Sequence, residues 1–61
     1  MRSVESIVRG MPDQMRRVYV MRKVYRFSHA EIAEKLHIPL DDVVHELEVG
    51  ARFVARMMDA P

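Results

Sequence analysis

The stretch of residues 27–47, FSHAEIAEKLHIPLDDVVHEL, constrains the fold of this chain more than any other. Ser28 and Glu31 have the spacing of a capping box, in which the hydroxyl accepts an N–H of the first turn and the carboxylate reaches back to the cap. Apolar residues with helical spacing follow this cap: Ala30, Ile32, Ala33 and Leu36. Pro39 cannot continue that helix but suits the start of a new one. The stretch therefore predicts a helix-turn-helix.

Two further helices are predicted ahead of this motif. The first covers residues 3–9, with Ser3 as its N-cap, and ends at Gly10. The second begins at Asp13 as its N-cap and continues to Tyr25. The last helix of the chain runs from about Leu40 to Met58. We expect an all-α fold, a small helix-turn-helix bundle of about four helices with a long C-terminal helix. Residues 1–61 are expected to form one domain, with the helix-turn-helix over 28–58.

The core is expected where three of these helices meet. Its predicted members are Val18, Met21, Ile32, Ala33, Leu36, Ile38, Val43 and Leu47. Val24 is also expected to face inward, and Met11 and Met15 are expected to fill gaps in the core.

The last helix carries two apolar stripes. The main stripe, expected to close the bundle, is Leu40, Val43 or Val44, Leu47, Ala51, Val54 and Met58. The second stripe is Val49, Phe53 and Met57. It needs another partner, which is either the first helix or another chain, and the second possibility predicts a homodimer through the C-terminal helix.

Composition excludes several classes of protein. The chain has 61 residues, 49% of them hydrophobic, but no run approaches the roughly 20 apolar residues of a membrane span. It has no cysteine, and its histidines, 29, 37 and 45, lack the i, i+4 spacing of a helical metal pair. We therefore expect no metal and no other cofactor. Ser3 and Ser28 have the positions of helix caps, and Asp41 and Asp42 have those of first-turn residues that complement the helix dipole. A bundle this small cannot easily enclose a substrate, so no catalysis is expected. A cytoplasmic protein is the expectation.

Charge is distributed unevenly along the chain although the net charge is only +1. Residues 14–26 contain five cations and no acid: Arg16, Arg17, Arg22, Lys23 and Arg26. Residues 37–48 contain four acids and no lysine or arginine: Asp41, Asp42, Glu46 and Glu48. The basic segment is compatible with a phosphate backbone, an acidic protein surface, or a solvated helix face with pairs such as Arg16–Glu31.

The chain resembles a known family over residues 11 to about 50. The residues that carry the resemblance are Met11-Pro12, Arg16, Val18, Met21, Ser28, Glu31-Ile32-Ala33, Leu36, Ile38, Val43 and Leu47. They are similar to the C-terminal domain of bacterial sigma factors, in particular the small extracytoplasmic-function group. The resemblance implies binding to the upstream promoter element and to the flap of core RNA polymerase, and it implies anti-sigma proteins as regulators.

The resemblance also assigns candidate positions. The candidate DNA-binding residues are Arg16, Arg17, Arg26, His29, Asp41, Asp42, His45 and Glu46. The family's Thr, Lys, Ser and Arg of the recognition helix correspond to Asp42, Val44, His45 and Glu46, and a further Arg corresponds to Val49. Of these positions, only His45 keeps a hydrogen-bond donor that could contact DNA. The alternative function is therefore a protein-interaction module that binds an anti-sigma-type partner or itself, through Val49, Phe53 and Met57.

Two residues stand where the family carries a turn glycine. His37 is expected to adopt a positive φ, which histidine tolerates better than most residues. Arg26 takes the place of glycine between the second and third helices, so a strained or altered turn is expected there.

Overall fold

The computed structural model describes residues 3–59, and within this range the chain forms four helices and no strand. The helices are α1 (Val4–Arg9), α2 (Asp13–Lys23), α3 (His29–Leu36) and α4 (Leu40–Asp59). At about 1.5 Å per residue, α4 is about 30 Å long and nearly matches the 37 Å longest dimension of the bundle. The predicted all-α bundle with a long C-terminal helix is confirmed.

The ends of the first two helices follow from local hydrogen bonds. Oγ of Ser3 accepts the N–H of Ser6 at 3.1 Å, so Ser3 is the N-cap of α1 as predicted. The N-cap of α2 is Pro12 and the prediction of Asp13 was wrong, because the Pro12 carbonyl already accepts the N–H of Arg16 at 2.9 Å. Asp13 instead lies in the first turn, where a carboxylate is favourable near the positive end of the helix dipole.

The core lies between α2, α3 and α4. Val18, Ile32 and Val43 are 0% exposed and contribute one residue from each of these helices. The partly buried residues packed against them are Met21, Phe27, Ala33, Leu36, Ile38 and Leu47. All eight residues predicted for the core are present in this cluster.

A second buried group lies where α1 meets the start of α2. Ile7, Met11 and Met15 are 2%, 4% and 7% exposed. The two methionines are therefore core residues, as expected. Val24 is 66% exposed, so the prediction that it faces inward was wrong. It lies just beyond the end of α2, beside a groove that α1 leaves open.

The side of α4 that faces the bundle is set by Gly50. A Cβ placed on Gly50 would lie 3.2 Å from Cδ2 of Tyr19 and 3.5 Å from Cγ of Met15. The missing side chain therefore allows α2 to approach α4 closely. Val43 and Gly50 are the two buried residues of α4, and together they define its inner face.

The two apolar stripes of α4 consequently differ from their predicted roles. In the main stripe, only Val43 is buried, and Leu47 and Val54 are half-buried. The other members are exposed: Leu40, Val44, Ala51 and Met58. The second stripe of Val49, Phe53 and Met57, for which either the first helix or another chain was the expected partner, is half-buried. Phe53 reaches α1, since a Cβ placed on Gly10 would lie 4.0 Å from its Cζ.

Within the described range, no helix has the length and apolar character that crossing a membrane requires.

Candidate nucleic-acid interface

The start of α3 is fixed by the predicted capping box. The Glu31 N–H donates to Oγ of Ser28 at 3.1 Å, and the Ser28 N–H donates to Oε1 of Glu31 at 2.9 Å. The backbone hydrogen bond from Ser28 holds the pKa of the Glu31 carboxyl below its ordinary value, and the Ser28 side chain adds to this effect. Two of the amides that every helix leaves without an intrahelical partner are thereby satisfied.

The turn between α3 and α4 is made by His37 in the left-handed conformation. Its φ of 55° and ψ of 45° confirm the prediction of a positive φ. The Ile38 N–H donates to the Ala33 carbonyl at 3.1 Å and the His37 N–H donates to the Glu34 carbonyl at 3.4 Å. This is a Schellman motif. Ile38 packs into the core directly after it, so the chain is redirected into α4 within three residues.

The first turns of α4 present an acidic surface. The Pro39 carbonyl accepts the Asp42 N–H at 3.0 Å, which begins the helix. Asp41, Asp42 and His45 are exposed, and Glu46 is half-buried. In helix-turn-helix proteins the first turns of the second helix enter the major groove. These candidate residues therefore lie on the part of α4 that corresponds to the base-contacting turns of other helix-turn-helix proteins.

One basic side chain of α2, that of Arg16, lies in an ion pair. An Arg16 guanidinium nitrogen lies 2.6 Å from Oδ1 of Asp13, and the Arg16 side chain is 39% exposed. The expected Arg16–Glu31 pair is not the one formed, because the Glu31 carboxylate already accepts the Ser28 N–H. Arg17 is exposed.

The connection between α2 and α3 supplies two further candidates. Arg26 and His29 are both exposed, and Arg26 has a φ of 60°. Arg26 stands where the family has glycine, and an altered turn was expected there. The turn is formed with Arg26 in the left-handed conformation. The rings of Tyr25 and Phe27, on either side of Arg26, stack with centroids 5.9 Å apart.

Sequence reasoning missed a cation at this connection. Nζ of Lys35, in the last turn of α3, lies 4.9 Å from the centroid of the Phe27 ring, which ties that turn to a residue two positions before the helix begins. The sequence feature that could have indicated this contact is the pair of aromatic residues on either side of Arg26. Two aromatic residues so close together are unusual in a chain that has only four among its 61 residues.

A groove between α1 and α2 was also missed. It encloses about 390 Å³ and is lined by apolar side chains and the stems of charged ones: Val4, Val8, Tyr19, Val20, Lys23 and Val24. Glu5 and Arg9 pair across one turn of α1 at its edge, 3.1 Å apart. Helical spacing predicted that Val24 faces inward, so it did not indicate that Val24 lines an open groove.

Among residues 3–59, no group of three histidine, aspartate or glutamate side chains lies close enough together to hold a metal ion.

Comparison with known proteins agrees with this geometry. The family described as sigma-70, region 4, matches residues 1–47, which include α1, α2, α3 and the beginning of α4. Comparisons with curated proteins and with solved structures gave no match. The matched residues are well over half of the chain and contain both helices of the motif up to Leu47. The chain therefore belongs to the sigma-70 region 4 family and is a promoter-reading, DNA-binding helix-turn-helix domain of transcription initiation, with RNA polymerase as the implied protein partner.

Proposed function

We propose that this domain reads promoter DNA with the first two turns of α4 in the major groove and with flanking cations on phosphates. The observation that carries the proposal is the exposure of Asp41, Asp42 and His45 at the start of a helix that the Schellman turn and the capping box hold in place. We also propose a cytoplasmic location, because promoter DNA and RNA polymerase are the expected partners.

The acidic residues of α4 suggest which bases are read. Carboxylates accept hydrogen bonds from the N4 amino group of cytosine, whereas arginine and lysine read guanine. The first two turns of α4 contain no arginine or lysine. We therefore propose a preference for cytosine amino groups opposite Asp41, Asp42 and Glu46, with His45 as a donor.

Affinity in this proposal comes from the exposed cations outside α4. Arg17 on α2 and Arg26 before α3 are exposed, and Arg16 is half-exposed beside Asp13. His29 stands at the first residue of α3. Phosphate contacts fix the register of a protein on the duplex and leave sequence reading to the groove. These residues are therefore the proposed backbone contacts.

The groove between α1 and α2 is the proposed contact for core RNA polymerase. It is formed by α1 and α2 alone, so its residues differ from those of α3 and α4. The domain could therefore bind DNA through α4 and RNA polymerase through the groove at the same time. An apolar helix or loop fits between Val8 and Val20, and the positive charge of Lys23, which also lines the groove, favours an acidic flank on that partner.

Salt-dependent binding to labelled duplex DNA tests the DNA proposal. Phosphate contacts by the three arginines of this set, Arg16, Arg17 and Arg26, predict a slope of log affinity against log salt of about −2.7, at about −0.9 per contact. Arg17→Ala should make the slope shallower by about 0.9. Arg9→Ala, an exposed arginine of α1 paired with Glu5, is the matched control and should leave the slope unchanged. Binding that does not respond to salt would contradict the proposal.

Base preference is tested separately, by selection from a pool of random duplexes. Asp42→Asn should change the preferred bases, since the amide both donates and accepts. Asp59→Asn removes the same charge at the opposite end of α4 and should leave the preference as it is. Identical selected sequences for the Asp42→Asn variant and the unmodified chain would contradict the assignment.

A second candidate function is the binding of a protein partner, an anti-sigma protein or a second copy of the chain, through α4. The specific observation in its favour is that α4 combines an acidic beginning with exposed apolar residues along its length. Val49, Phe53 and Met57 remain proposed interface residues. Phe53→Glu tests this face: a folded chain that no longer binds its partner supports an interface, and an unfolded one assigns Phe53 to packing against α1.

A further inference from the structure

An apolar surface runs along the whole outer side of α4. We call it the outer stripe, and its exposed members are Leu40, Val44, Ala51, Ala55 and Met58. Leu40, Met58 and Val44 are 49%, 44% and 36% exposed. At about 100° per residue, all five lie within a sector of about 60°. Leu47 and Val54, both half-buried, border it on the side of the core.

The spacing of this surface is that of a helix-pairing seam. Leu40, Val44, Leu47, Ala51, Val54 and Met58 are separated alternately by four and three residues. This repeat keeps one side of a helix against a partner helix. The inner face of α4, at Val43 and Gly50, already packs against α2 and α3. The seam lies to one side of that inner face, so the domain's own helices leave it open.

We propose that the outer stripe binds the outer stripe of a second copy of this chain, with the two α4 helices antiparallel. The proposal shares with the second candidate function the idea that α4 binds a second copy of the chain, but it places the contact on the outer stripe and not on Val49, Phe53 and Met57. It is carried by the exposure of the seam together with the distribution of charge and of apolar residues along α4.

Charge selects the antiparallel orientation. Residues 40–48 contain four acids and no lysine or arginine, whereas residues 51–59 contain Arg52, Arg56 and a single acid, Asp59. A parallel pair would place acidic half against acidic half. An antiparallel pair places the acidic half of each helix beside the basic half of the other.

The apolar residues are symmetric about Val49, as such a pair requires. When the two helices cross there, Leu40 faces Met58 of the second copy and Val44 faces its Val54. Leu47 faces Ala51 of the second copy, which sets a large residue against a small one. The same surface is thus used by both chains, as in a two-fold dimer. Every seam residue meets an apolar residue.

Pairing along this stripe covers Leu40 and Val44, which belong to the turns that the proposed function places in the major groove. The two binding events therefore exclude each other. By thermodynamic linkage, DNA should dissociate the dimer and the dimer should lower the affinity for DNA. This consequence rests on the proposed function, whereas the dimer itself does not.

Sedimentation equilibrium without DNA tests the dimer. We expect the unmodified chain to dimerise with increasing concentration. Ala51→Glu places a charge in the middle of the stripe and should weaken association by roughly tenfold or more while the helical circular dichroism is kept. Ala30→Glu, on an exposed alanine of α3, is the matched control and should dimerise normally. A chain that stays monomeric, or an Ala51→Glu variant that dimerises as well as the unmodified chain, overturns the proposal.

Cysteine cross-linking tests the orientation, because the chain has no cysteine of its own. We expect neither Leu40→Cys nor Met58→Cys alone to form a disulfide dimer, and their equimolar mixture to form the mixed disulfide. Dimers of either single variant indicate parallel helices and overturn the orientation. The mixed disulfide should bind duplex DNA roughly tenfold or more weakly than the reduced mixture. If the mixed disulfide and the reduced mixture bind DNA with equal affinity, only the mutual exclusion of dimer and DNA is overturned. If the reduced chain does not bind DNA at all, the result counts against the proposed function and not against the dimer.

Discussion

The side chains of Ser28 and Glu31 accept each other's backbone N–H at the start of α3. The Ser28 N–H donates to the Glu31 carboxylate, and the Glu31 N–H donates to the Ser28 hydroxyl. The reciprocal pair fixes the first turn of a helix of only eight residues. Short helices are marginal by themselves, so the cap and the core residue Ile32 together determine where α3 begins. The position of α4 depends on that start.

Glu31→Gln should flatten the acid dependence of stability. Hydrogen bonds from Ser28 depress the pKa of Glu31 in the folded chain. Its carboxylate therefore stabilises the fold above the unfolded pKa, and the contribution is lost as the pH falls through the depressed folded pKa. Glutamine still accepts the Ser28 N–H but does not titrate. Melting temperatures measured between neutral and acid pH should fall less steeply for this variant, whereas Glu34→Gln, on the same helix, should keep the steep fall. Parallel curves for Glu31→Gln and the unmodified chain would contradict the prediction.

His37→Gly should be neutral or stabilising. A non-glycine residue in the left-handed region costs about 1 kcal/mol, and glycine loses about 0.5–1 kcal/mol through its greater freedom in the unfolded chain. His37→Val, a β-branched residue at a φ of 55°, should lower the free energy of unfolding by about 1–2 kcal/mol. Urea denaturation of the three chains measures both effects. A loss of stability in His37→Gly as large as that in His37→Val would show that the turn does not depend on φ.

Arg26→Gly should separate folding from DNA binding. Removing the side chain at a φ of 60° relieves about 1 kcal/mol of backbone strain, so stability should stay the same or rise. Losing a phosphate contact should make the salt slope of DNA binding shallower by about 0.9. Arg26→Lys is the matched control, because it keeps both the charge and the strained backbone. If Arg26→Gly is more stable but the salt slope of its DNA binding is unchanged, Arg26 does not contact a phosphate.

The parts of the fold that the sequence predicted are those fixed by local chemistry. The capping box at Ser28, the left-handed turn at His37 and the break at Pro12 each depend on a few adjacent residues. The core of α2 and α3 followed from helical spacing, since a short amphipathic helix has only one apolar side to bury.

The orientation of α4 could not be predicted in the same way. This helix has apolar residues on several sides, so spacing alone does not show which of them faces the bundle. The close approach of Tyr19 to Gly50 decides it, and that contact joins residues far apart in the sequence. A glycine inside a helix was the available signal, because it commonly marks a packing or functional constraint.

Most candidate residues at the start of α4 are exposed, as a binding role requires, but the ion pair of Arg16 was not predicted. The exposed residues at the start of α4 lie where the family resemblance placed them. The partner of Arg16 was not predicted, because Asp13, one turn away, competes with Glu31 on the neighbouring helix. A pair within one helix orders fewer groups, and the Glu31 carboxylate already accepts the Ser28 N–H.

The adjacent residues Val43 and Val44 provide the most direct test of how α4 is rotated. Val43 is 0% exposed and Val44 is 36% exposed, so the same substitution should have different effects at the two positions. Val43→Ala removes two buried carbon groups at about 0.8 kcal/mol each and leaves a cavity, for a loss of about 2–3 kcal/mol. That is a large part of the stability of a domain this size. Val44→Ala should change stability by less than about 0.5 kcal/mol, because alanine is the better helix former and little packing is lost.

The readouts for this pair are urea denaturation at low protein concentration and self-association at high concentration. Val43→Ala should unfold at a lower urea concentration than the unmodified chain, and Val44→Ala should not. Val44→Ala should instead weaken the dimer, because it removes contact area from the outer stripe. Equal losses of stability in the two variants would mean that both valines face the bundle. The outer stripe would then lose Val44, and the antiparallel pairing would lose the contact between Val44 and Val54 of the second copy.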